Sequence, residues 1–361
     1  MTKTQRKSEP RGRWTALLVI PGAVGVVLAE VGQWVSPEVT TFLAFFGLLY
    51  PFSFFFLVVG TAFRLVNGQW LKVLAPAAIL LWTAPQAGRT WGGWQDGGEV
   101  AGERSVEVMS WNVRQFDRYD WLGWERVKDD VLALIREVDA EVVCLQEAYV
   151  ADEFLTMRQV EQAAGARNVH ASFGKRGDPS QHFGLLTISR LPMVRRETIR
   201  FEEDPGNGCL VTDLKVEGDT IRVFNVHLSS IRFDASDYEA VRRGPDAEER
   251  ARLWGRLSRA WVKRAEQARQ IADAVAASPH PVLVMGDFND GPVSYSLAQF
   301  SDGLRDAFAV EGRGLGATYI GDLPTLRIDY VLFGEPFVPT EFETLREELS
   351  DHRAVRATFN W

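Results

Sequence analysis

The stretch PVLVMGDFND, residues 281–290, is the most informative part of the sequence for the fold. Its apolar run from Pro281 to Met285 predicts a short buried strand. The polar residues Asp287 and Asn289 follow that strand directly. A polar group at the end of a buried strand costs free energy unless it is paired. Taken alone, such a group fits a strand cap or a turn as well as a functional site.

The same pattern recurs at five other strand ends. Apolar strands are predicted at 106–113, 142–145, 184–189, 209–216, 221–228, 327–332 and 354–359. Helices are predicted at 124–138 and 246–277, the first beginning at Trp124. The other polar residues at strand ends are Asn112, Glu147, His227, Asp329 and the neighbours Asp351 and His352. Six such ends in one domain are more than turn formation explains.

The first 100 residues have a different composition from the rest. They carry 8 Lys and Arg against 5 Asp and Glu, which leaves 32 against 43, a net charge of −11, for residues 101–361. Apolar runs predict membrane helices at 14–35, 39–63 and 70–87, so residues 1–87 form a membrane segment. The first run also fits a signal peptide, but no A-x-A-like site follows it. The third run is short, and a helix lying in the membrane interface is its alternative.

Charges in the short loops predict an orientation for this integral, multi-pass segment. The basic residues are at the start of the chain and at Arg64 and Lys72, whereas the loop between them holds Glu38. The positive-inside rule then places the N-terminus in the cytoplasm. With three crossings the following domain is extracytoplasmic, and with two it is cytoplasmic. Residues 88–104 contain six glycines and are expected to be a flexible linker. The lipid bilayer is the expected partner, and no obligate protein partner is implied.

Six short motifs give residues 105–361 a resemblance to a known family. They are Ser110-Trp111-Asn112-Val113, Leu145-Gln146-Glu147, Asn225-Val226-His227-Leu228, Gly286-Asp287-Phe288-Asn289, Arg327-Ile328-Asp329-Tyr330-Val331 and Ser350-Asp351-His352-Arg353. In this order they resemble the endonuclease/exonuclease/phosphatase superfamily, which includes DNase I-like nucleases and sphingomyelinases. The resemblance implies a four-layer α/β sandwich: two mostly antiparallel sheets face to face, with helices outside.

The resemblance also implies a metal site. The counterparts of Glu147 and Asn112 hold a divalent ion in the family, and the counterpart of Asp351 contributes in some members. Oxygen ligands of this kind suit Mg²⁺, with Mn²⁺ and Ca²⁺ as alternatives. The sequence has no histidine-rich cluster for zinc.

Hydrolysis of a phosphoester also needs an activated water and a proton for the leaving oxygen. By resemblance, His352 is paired with Asp329 for acid–base work. Asp287 orients or deprotonates the attacking water, and Asn289 and His227 bind the phosphate oxygens. Whether the aspartate or the histidine is the general base stays open at this point.

Three functions agree with these residues. The first is a membrane-tethered phosphodiester hydrolase acting on a phospholipid head group or another envelope phosphoester. The second is a nuclease, against which the acidic charge of residues 101–361 argues mildly. The third is an inactive binding or scaffold domain, which is disfavoured because all six polar strand ends are present.

The remaining candidate residues have simpler interpretations. His170 and His280 are predicted on the surface, and His182 is predicted near the site. The segments 116–124 and 229–246 are predicted to shape the substrate cleft. Two cysteines without CxxC spacing exclude a disulfide scaffold and a cysteine zinc site, and both are expected to pack in the core.

Overall fold

Four helices precede the first strand. The computed structural model describes residues 13–93, 95–98, 102–123, 126–174, 181–321 and 326–361. The helices are α1 (Arg13–Gly32), α2 (Thr41–Val66), α3 (Trp70–Trp82) and α4 (Ala84–Trp91). By length and composition, α1 and α2 are long and apolar enough to cross a membrane, and α3 is shorter.

The predicted third membrane helix, 70–87, is broken in the structure. α3 ends at Trp82, and α4 begins after Thr83 with a proline in its first turn. Proline is favoured in a first turn and disfavours a continuous helix through it, so the break follows from Pro85. α4 then runs to Trp91, so the first four residues of the predicted 88–104 linker are helical.

The first sheet has the strand order β11-β12-β1-β2-β4-β3. Only β1 and β2 run parallel among its described pairs. Its strands are β1 (Ser105–Asn112), β2 (Val142–Val150), β3 (Asn168–Gly174), β4 (His182–Ser189), β11 (Val338–Thr344) and β12 (Val355–Asn360).

The second sheet has the order β5-β6-β7-β8-β10-β9, and β7 and β8 are its parallel pair. Its strands are β5 (Met193–Arg200), β6 (Gly208–Val216), β7 (Asp219–His227), β8 (Val282–Asp287), β9 (Arg305–Asp306) and β10 (Asp329–Phe333). Within the described residues, six further α-helices and one 3₁₀ helix, Arg114–Asp117, connect the strands. The α-helices are α5 (Val127–Val138), α6 (Met157–Ala163), α7 (Ala235–Arg243), α8 (Ala247–Ala276), α9 (Tyr295–Ala298) and α10 (Ala307–Glu311).

Three apolar clusters show how the layers stack. Residues of both sheets share the central cluster, which includes Val108 and Met285. The outer face of the first sheet packs on α5 and α6. The outer face of the second packs on α8, where Ala268 and Ile271 are fully buried. The predicted four-layer α/β sandwich with two mostly antiparallel sheets is therefore confirmed.

The local predictions differ from the structure mainly at the sheet edges. The strands β3, β5 and β11 were not predicted, because their residues are mixed in polarity and only partly buried. The helix predicted to begin at Trp124 begins at Val127, and Trp124 lies outside the described residues.

Candidate active site

Three of the predicted site residues lie side by side on the second sheet. In the parallel pair β7–β8, His227 is opposite Asp287, and in the antiparallel pair β8–β10, Asp287 is opposite Asp329. Side chains at paired positions point to the same face of a sheet. The backbone register thus places the three side chains in one row at one end of the sheet.

The side chains of this row contact two further candidates. His352 Nδ1 lies 2.8 Å from Asp329 Oδ2, and its Nε2 lies 3.9 Å from Asp287 Oδ2. On the other side, His227 Nε2 lies 3.6 Å from Asp287 Oδ2 and 3.7 Å from Glu147 Oε1. The structure therefore brings Glu147 and His352, which are far apart in sequence, into one connected group.

Asn289 and Asn112 hold the Asp287 carboxylate from two sides. Asn289 donates its backbone N–H to Asp287 Oδ1 at 2.8 Å, and its Nδ2 donates to Asp287 Oδ2 at 3.1 Å. Asn112 Nδ2, from the end of β1, donates to the same Oδ2 at 3.0 Å. Asn289 also donates to Leu228 O, so much of its amide's donor capacity is used within the protein.

Glu147 reaches the site through an irregularity in β2. The pairing of β2 with β4 shifts register between Leu145 and Ala148, and Glu147 has a φ of 52°. A bulge of this kind re-aims a side chain and is common beside active sites. Its neighbour Gln146 is fully buried and donates to Asn225 Oδ1 at 2.7 Å, which joins the two sheets directly beneath the site.

The loop after β1 adds an arginine that the sequence did not single out. Arg114 Nε lies 3.3 Å from Asp351 Oδ2, and its guanidinium lies over the Trp121 ring at 4.3 Å from the centroid. All four residues from Arg114 to Asp117 have positive φ. This conformation is costly for non-glycine residues, and such strain clusters at functional sites. Nothing in the composition of the segment predicts it.

Asp287 and His352 have pKa values that suit opposite roles. Burial raises the pKa of Asp287 to about 6, and Asp329 adds to that, although His352 and His227 act against it. Burial by itself lowers the pKa of His352, but Asp329, Asp287 and the hydrogen bond to Asp329 raise it to about 10. At neutral pH, Asp287 is therefore available to accept a proton and His352 carries one.

His227 is a buried, neutral acceptor or donor. Burial lowers its pKa, and the charge of nearby His352 also acts in that direction, whereas Asp287 raises it. Neither ring nitrogen has a hydrogen-bond partner among the residues that the structure describes. Asp329 Oδ1 is likewise buried and without a partner there. Buried polar atoms without partners are costly, and His227, which lines the smaller lobe of the cleft, is placed to bind a ligand there.

Glu147, Asn112 and Asp351 fit a divalent cation. Burial raises the pKa of Glu147, and the nearby carboxylate of Asp351 raises it further. Two poorly solvated carboxylates beside an amide form a set of hard oxygen donors, the kind that Mg²⁺ or Ca²⁺ takes. The Glu147 and Asp351 side chains keep 27% and 20% of their surface exposed, so both remain accessible from the cleft.

A second compact group, Asp287, Asp329 and His352, has its ligand atoms within 4.8 Å of one another. His352 Nδ1 is engaged by Asp329, and the raised pKa keeps the ring cationic at neutral pH. A cationic ring repels a metal ion, because only the neutral imidazole is a ligand. This group is therefore better suited to moving protons than to holding a cation.

The site opens into a cleft with two lobes. The larger lobe has a volume of about 690 Å³ and the smaller one about 460 Å³, and Glu147, Ser230 and Arg232 line both. Residues from the two predicted cleft segments contribute to the larger lobe; they are Trp121, Ser230, Ile231, Arg232, Phe233 and Tyr238. Tyr319 and Ile320, which were not predicted, also line this lobe, and the Tyr319 hydroxyl lies 3.5 Å from the Tyr238 hydroxyl.

The other histidines lie away from the reacting groups. His170 was predicted on the surface, and this is wrong: it is buried in β3, and its Nδ1 lies 2.8 Å from Thr212 Oγ1 of the facing sheet. Because β3 was not predicted, the alternation of side chains along a strand could not be used to place His170 in the interior. His280 is half-buried near Asp213, and His182 is exposed against Phe173. Cys144 and Cys209 are both buried and free.

Comparisons with known proteins agree with this geometry. A family model described as "Endonuclease/Exonuclease/phosphatase family" matches residues 109–352. A sequence comparison with curated proteins finds no match.

Solved structures with the same fold are similar to this chain at low identity. The endonuclease/exonuclease/phosphatase from Bacteroides vulgatus has a TM-score of 0.54 and 16% identity, over 72% of this chain and 99% of its own. The one from Beutenbergia cavernae has a TM-score of 0.52 and 20% identity, over 72% of each chain. D. rerio TDP2, complexed with a single-strand DNA product, has a TM-score of 0.52 and 17% identity, over 72% of this chain and all of its own.

The family match covers more than half of the chain and contains every predicted site residue, from Asn112 to His352. The chain is a phosphoester-hydrolysing enzyme of the endonuclease/exonuclease/phosphatase family.

Proposed function

We propose that this protein is a membrane-tethered, divalent-metal-dependent phosphodiester hydrolase whose substrate is a phospholipid head group or another envelope phosphoester. The observation that carries the catalytic part is the row His227–Asp287–Asp329, completed by His352. In this group Asp287 is the proton acceptor and His352 is the proton donor. His227, whose ring nitrogens have no partner among the described residues, is the phosphate-binding group.

Each predicted site residue has a role in this proposal. Glu147, Asn112 and Asp351 would hold the divalent ion, Mg²⁺ by its ligand chemistry, and the bound ion would supply positive charge that neutralises the phosphate. Asp287 accepts the proton of the attacking water, because its pKa of about 6 leaves it ionised at neutral pH. His352 Nε2 gives a proton to the leaving oxygen, while Asp329 fixes the ring through Nδ1. His227 and Asn289 face the phosphate oxygens.

The tethering rests on α1 and α2, which have membrane-spanning length and composition. α1 and α2 run antiparallel. Gly32 at the end of α1 packs on Leu43 near the start of α2, and Gly60 near the end of α2 packs on Val19 near the start of α1. At the far end of α2, Arg64 donates to Lys72 O of α3, so α3 turns back. α3 therefore runs back along α2, and we take it as a third crossing, which would put the catalytic domain on the extracytoplasmic side.

A nucleic acid is the second candidate substrate, because one similar structure holds a single-strand DNA product. The net charge of −11 in residues 101–361 weighs against it, since binding to nucleic acid draws on neutralisation of phosphates by basic residues.

The test uses the purified full-length protein in detergent with Mg²⁺ or Mn²⁺. Its substrates are bis(p-nitrophenyl) phosphate, a head-group-labelled phospholipid and single-stranded DNA. We expect cleavage of the first two and little of the third. Preferred cleavage of DNA would favour the nuclease, and cleavage of none of them under any divalent metal would favour an inactive scaffold.

A further inference from the structure

Exposed tryptophans mark two levels on the helical segment. Trp14 and Trp70 are at one end, with 76% and 67% of their surface exposed. Trp34, in the turn that follows α1, is at the other end, with 74% exposed. Tryptophan favours the membrane–water interface. The 20 residues between Trp14 and Trp34 span about 30 Å of helix, which matches a bilayer core.

The catalytic domain contacts the helices at the Trp34 end, from Glu38 in the α1–α2 turn to Gly47 of α2. In the turn between α1 and α2, Glu38 pairs with Arg269 at 2.8 Å. At the start of α2, Thr41 Oγ1 lies 3.1 Å from Ser258 Oγ. One turn later, the Phe45 and Trp254 rings are in edge contact with centroids 5.8 Å apart.

The loop that follows the Asp287 strand also reaches the helices. Val293 is buried in one apolar cluster with Val26, Tyr50 and Leu57. Gly47 packs so closely on the Val293 backbone that an added Cβ would lie 2.2 Å from the Val293 carbonyl oxygen. The domain is thus docked on the helices and does not hang from them on the linker alone.

The opposite side of α8 supports the cleft wall. Arg256 donates to Arg232 O, and Arg264 Nη1 donates to Ser229 O at 3.0 Å. Gln267 Oε1 accepts from Ser229 N at 2.8 Å. Trp254 and Ser258 contact α2 within one turn of Arg256. Because an α-helix with its side chains is about 10 Å wide, one helix diameter separates the cleft wall from the membrane helices.

This cleft wall presents apolar side chains beside the polar Ser230 and Arg232. Ile231, Phe233 and Tyr238 line the larger lobe, together with Tyr319 and Ile320. A phosphoester whose other end is embedded in lipid has apolar and interfacial atoms next to its phosphate.

We propose that α8 is a rigid spacer that holds the cleft in the head-group layer of the bilayer, so that the enzyme takes its phosphoester from the membrane surface and not from solution. This inference rests on the proposed lipid substrate and adds a fixed orientation to it. Fixed orientation raises the effective concentration of membrane substrate at the site.

The first experiment measures the orientation without relying on activity. Because both native cysteines are buried, a single introduced cysteine can be labelled with a fluorophore. The label is placed at Glu239→Cys, beside the cleft-lining Tyr238, or at Val194→Cys on β5, which is exposed at the opposite end of the second sheet. The full-length protein is reconstituted in nanodiscs with lipids that carry a spin label on the head group. We expect at least about twofold stronger quenching at 239 than at 194; equal or weaker quenching at 239 would overturn the proposal.

The second experiment weakens the contact between α8 and the α1–α2 helices by means of the double variant Trp254→Ala/Arg269→Glu. Its matched control is a double variant on β5, Val194→Ala/Arg195→Glu. We expect the first variant to lose about tenfold or more in hydrolysis of vesicle-borne phospholipid while keeping hydrolysis of bis(p-nitrophenyl) phosphate within about twofold. The β5 variant should keep both. Parallel loss of both activities, or loss of neither, would mean that the contact does not orient the cleft. If the wild type cleaves no lipid, the proposed substrate fails, and quenching still decides the orientation.

Discussion

His352 and Asp329 form a buried pair, with Nδ1 and Oδ2 2.8 Å apart, although 23 residues separate them in sequence. The pair fixes the tautomer and the direction of the ring, and it directs Nε2 toward Asp287 at 3.9 Å. The backbone of His352 is held as well, because Trp111 Nε1 donates to its carbonyl at 2.8 Å and Tyr319 pairs with it in an isolated bridge.

The pKa values of this pair predict a bell-shaped pH dependence. Activity should rise as pH passes about 6, where Asp287 loses its proton, and fall toward pH 10, where His352 loses its own. In Asp329→Asn the main charge that raises the pKa of His352 is gone, so burial dominates and the alkaline limb moves to lower pH. The measurement is kcat/KM for bis(p-nitrophenyl) phosphate from pH 5 to 10.5. An alkaline limb that stays in place would remove His352 from the proposed role.

Glu147→Gln is expected to lower turnover by about 100-fold or more, because it removes one of two carboxylates proposed to hold the cation. The apparent affinity for Mg²⁺, from activity titrations, should fall with it. Glu137→Gln, on the exposed face of α5, is the matched control and should behave as wild type. Normal turnover in Glu147→Gln at every metal concentration would disprove the metal site.

Arg114→Met is expected to raise KM for a phosphodiester about tenfold. Arg114 lines the larger lobe, and the variant would lose a charge-assisted hydrogen bond from the guanidinium to the phosphate, which contributes about 1.5–3 kcal/mol. Trp121→Ala should raise KM about two- to fivefold by releasing the stacked guanidinium, and Trp121→Phe should do so less. Arg118→Met is the control, because Arg118 is stacked 3.9 Å over Tyr149 and is not among the described residues of either lobe. Equal effects at both arginines would indicate a general loss of stability.

The burial of His170 predicts that the free energy of unfolding falls at acidic pH. Burial lowers its pKa to about 4, below the value of about 6.5 in an unfolded chain. The unfolded state therefore binds more protons between these values, and stability that is complete above pH 6.5 is lost as pH falls toward 4. The thermal midpoint of His170→Gln should fall less than that of the wild type between pH 7.5 and 5. His280→Gln, at a half-buried position, should keep the wild-type difference, and the same acid sensitivity in both variants would contradict the assignment.

The sequence was most informative where strands end in polar residues. Asn112, His227 and Asp287 end buried strands and Asp329 begins one, and burial of those strands leaves their polar ends at one edge of the sandwich. The arrangement of the strands in two sheets packed face to face came from the family resemblance, because the periodicity of each strand says nothing about its neighbours.

Other features depend on tertiary structure and left no local signal. The positive φ of Glu147 follows from a bulge between β2 and β4, whose first residues are 40 positions apart in the sequence. The strain of Arg114–Asp117 and the stacking of Arg114 on Trp121 depend on how a loop closes over the site. The docking of Phe45 on Trp254 joins positions 209 residues apart, and nothing in either neighbourhood predicts it.

The row formed by His227, Asp287 and Asp329 has an evolutionary consequence. Adding or removing one residue within β10 would rotate Asp329 to the opposite face while leaving the sheet paired. Length variation among descendants of this enzyme should therefore accumulate in connections such as 301–304 and 312–317, and an indel inside β7, β8 or β10 should mark a lineage that kept the architecture after abandoning the chemistry.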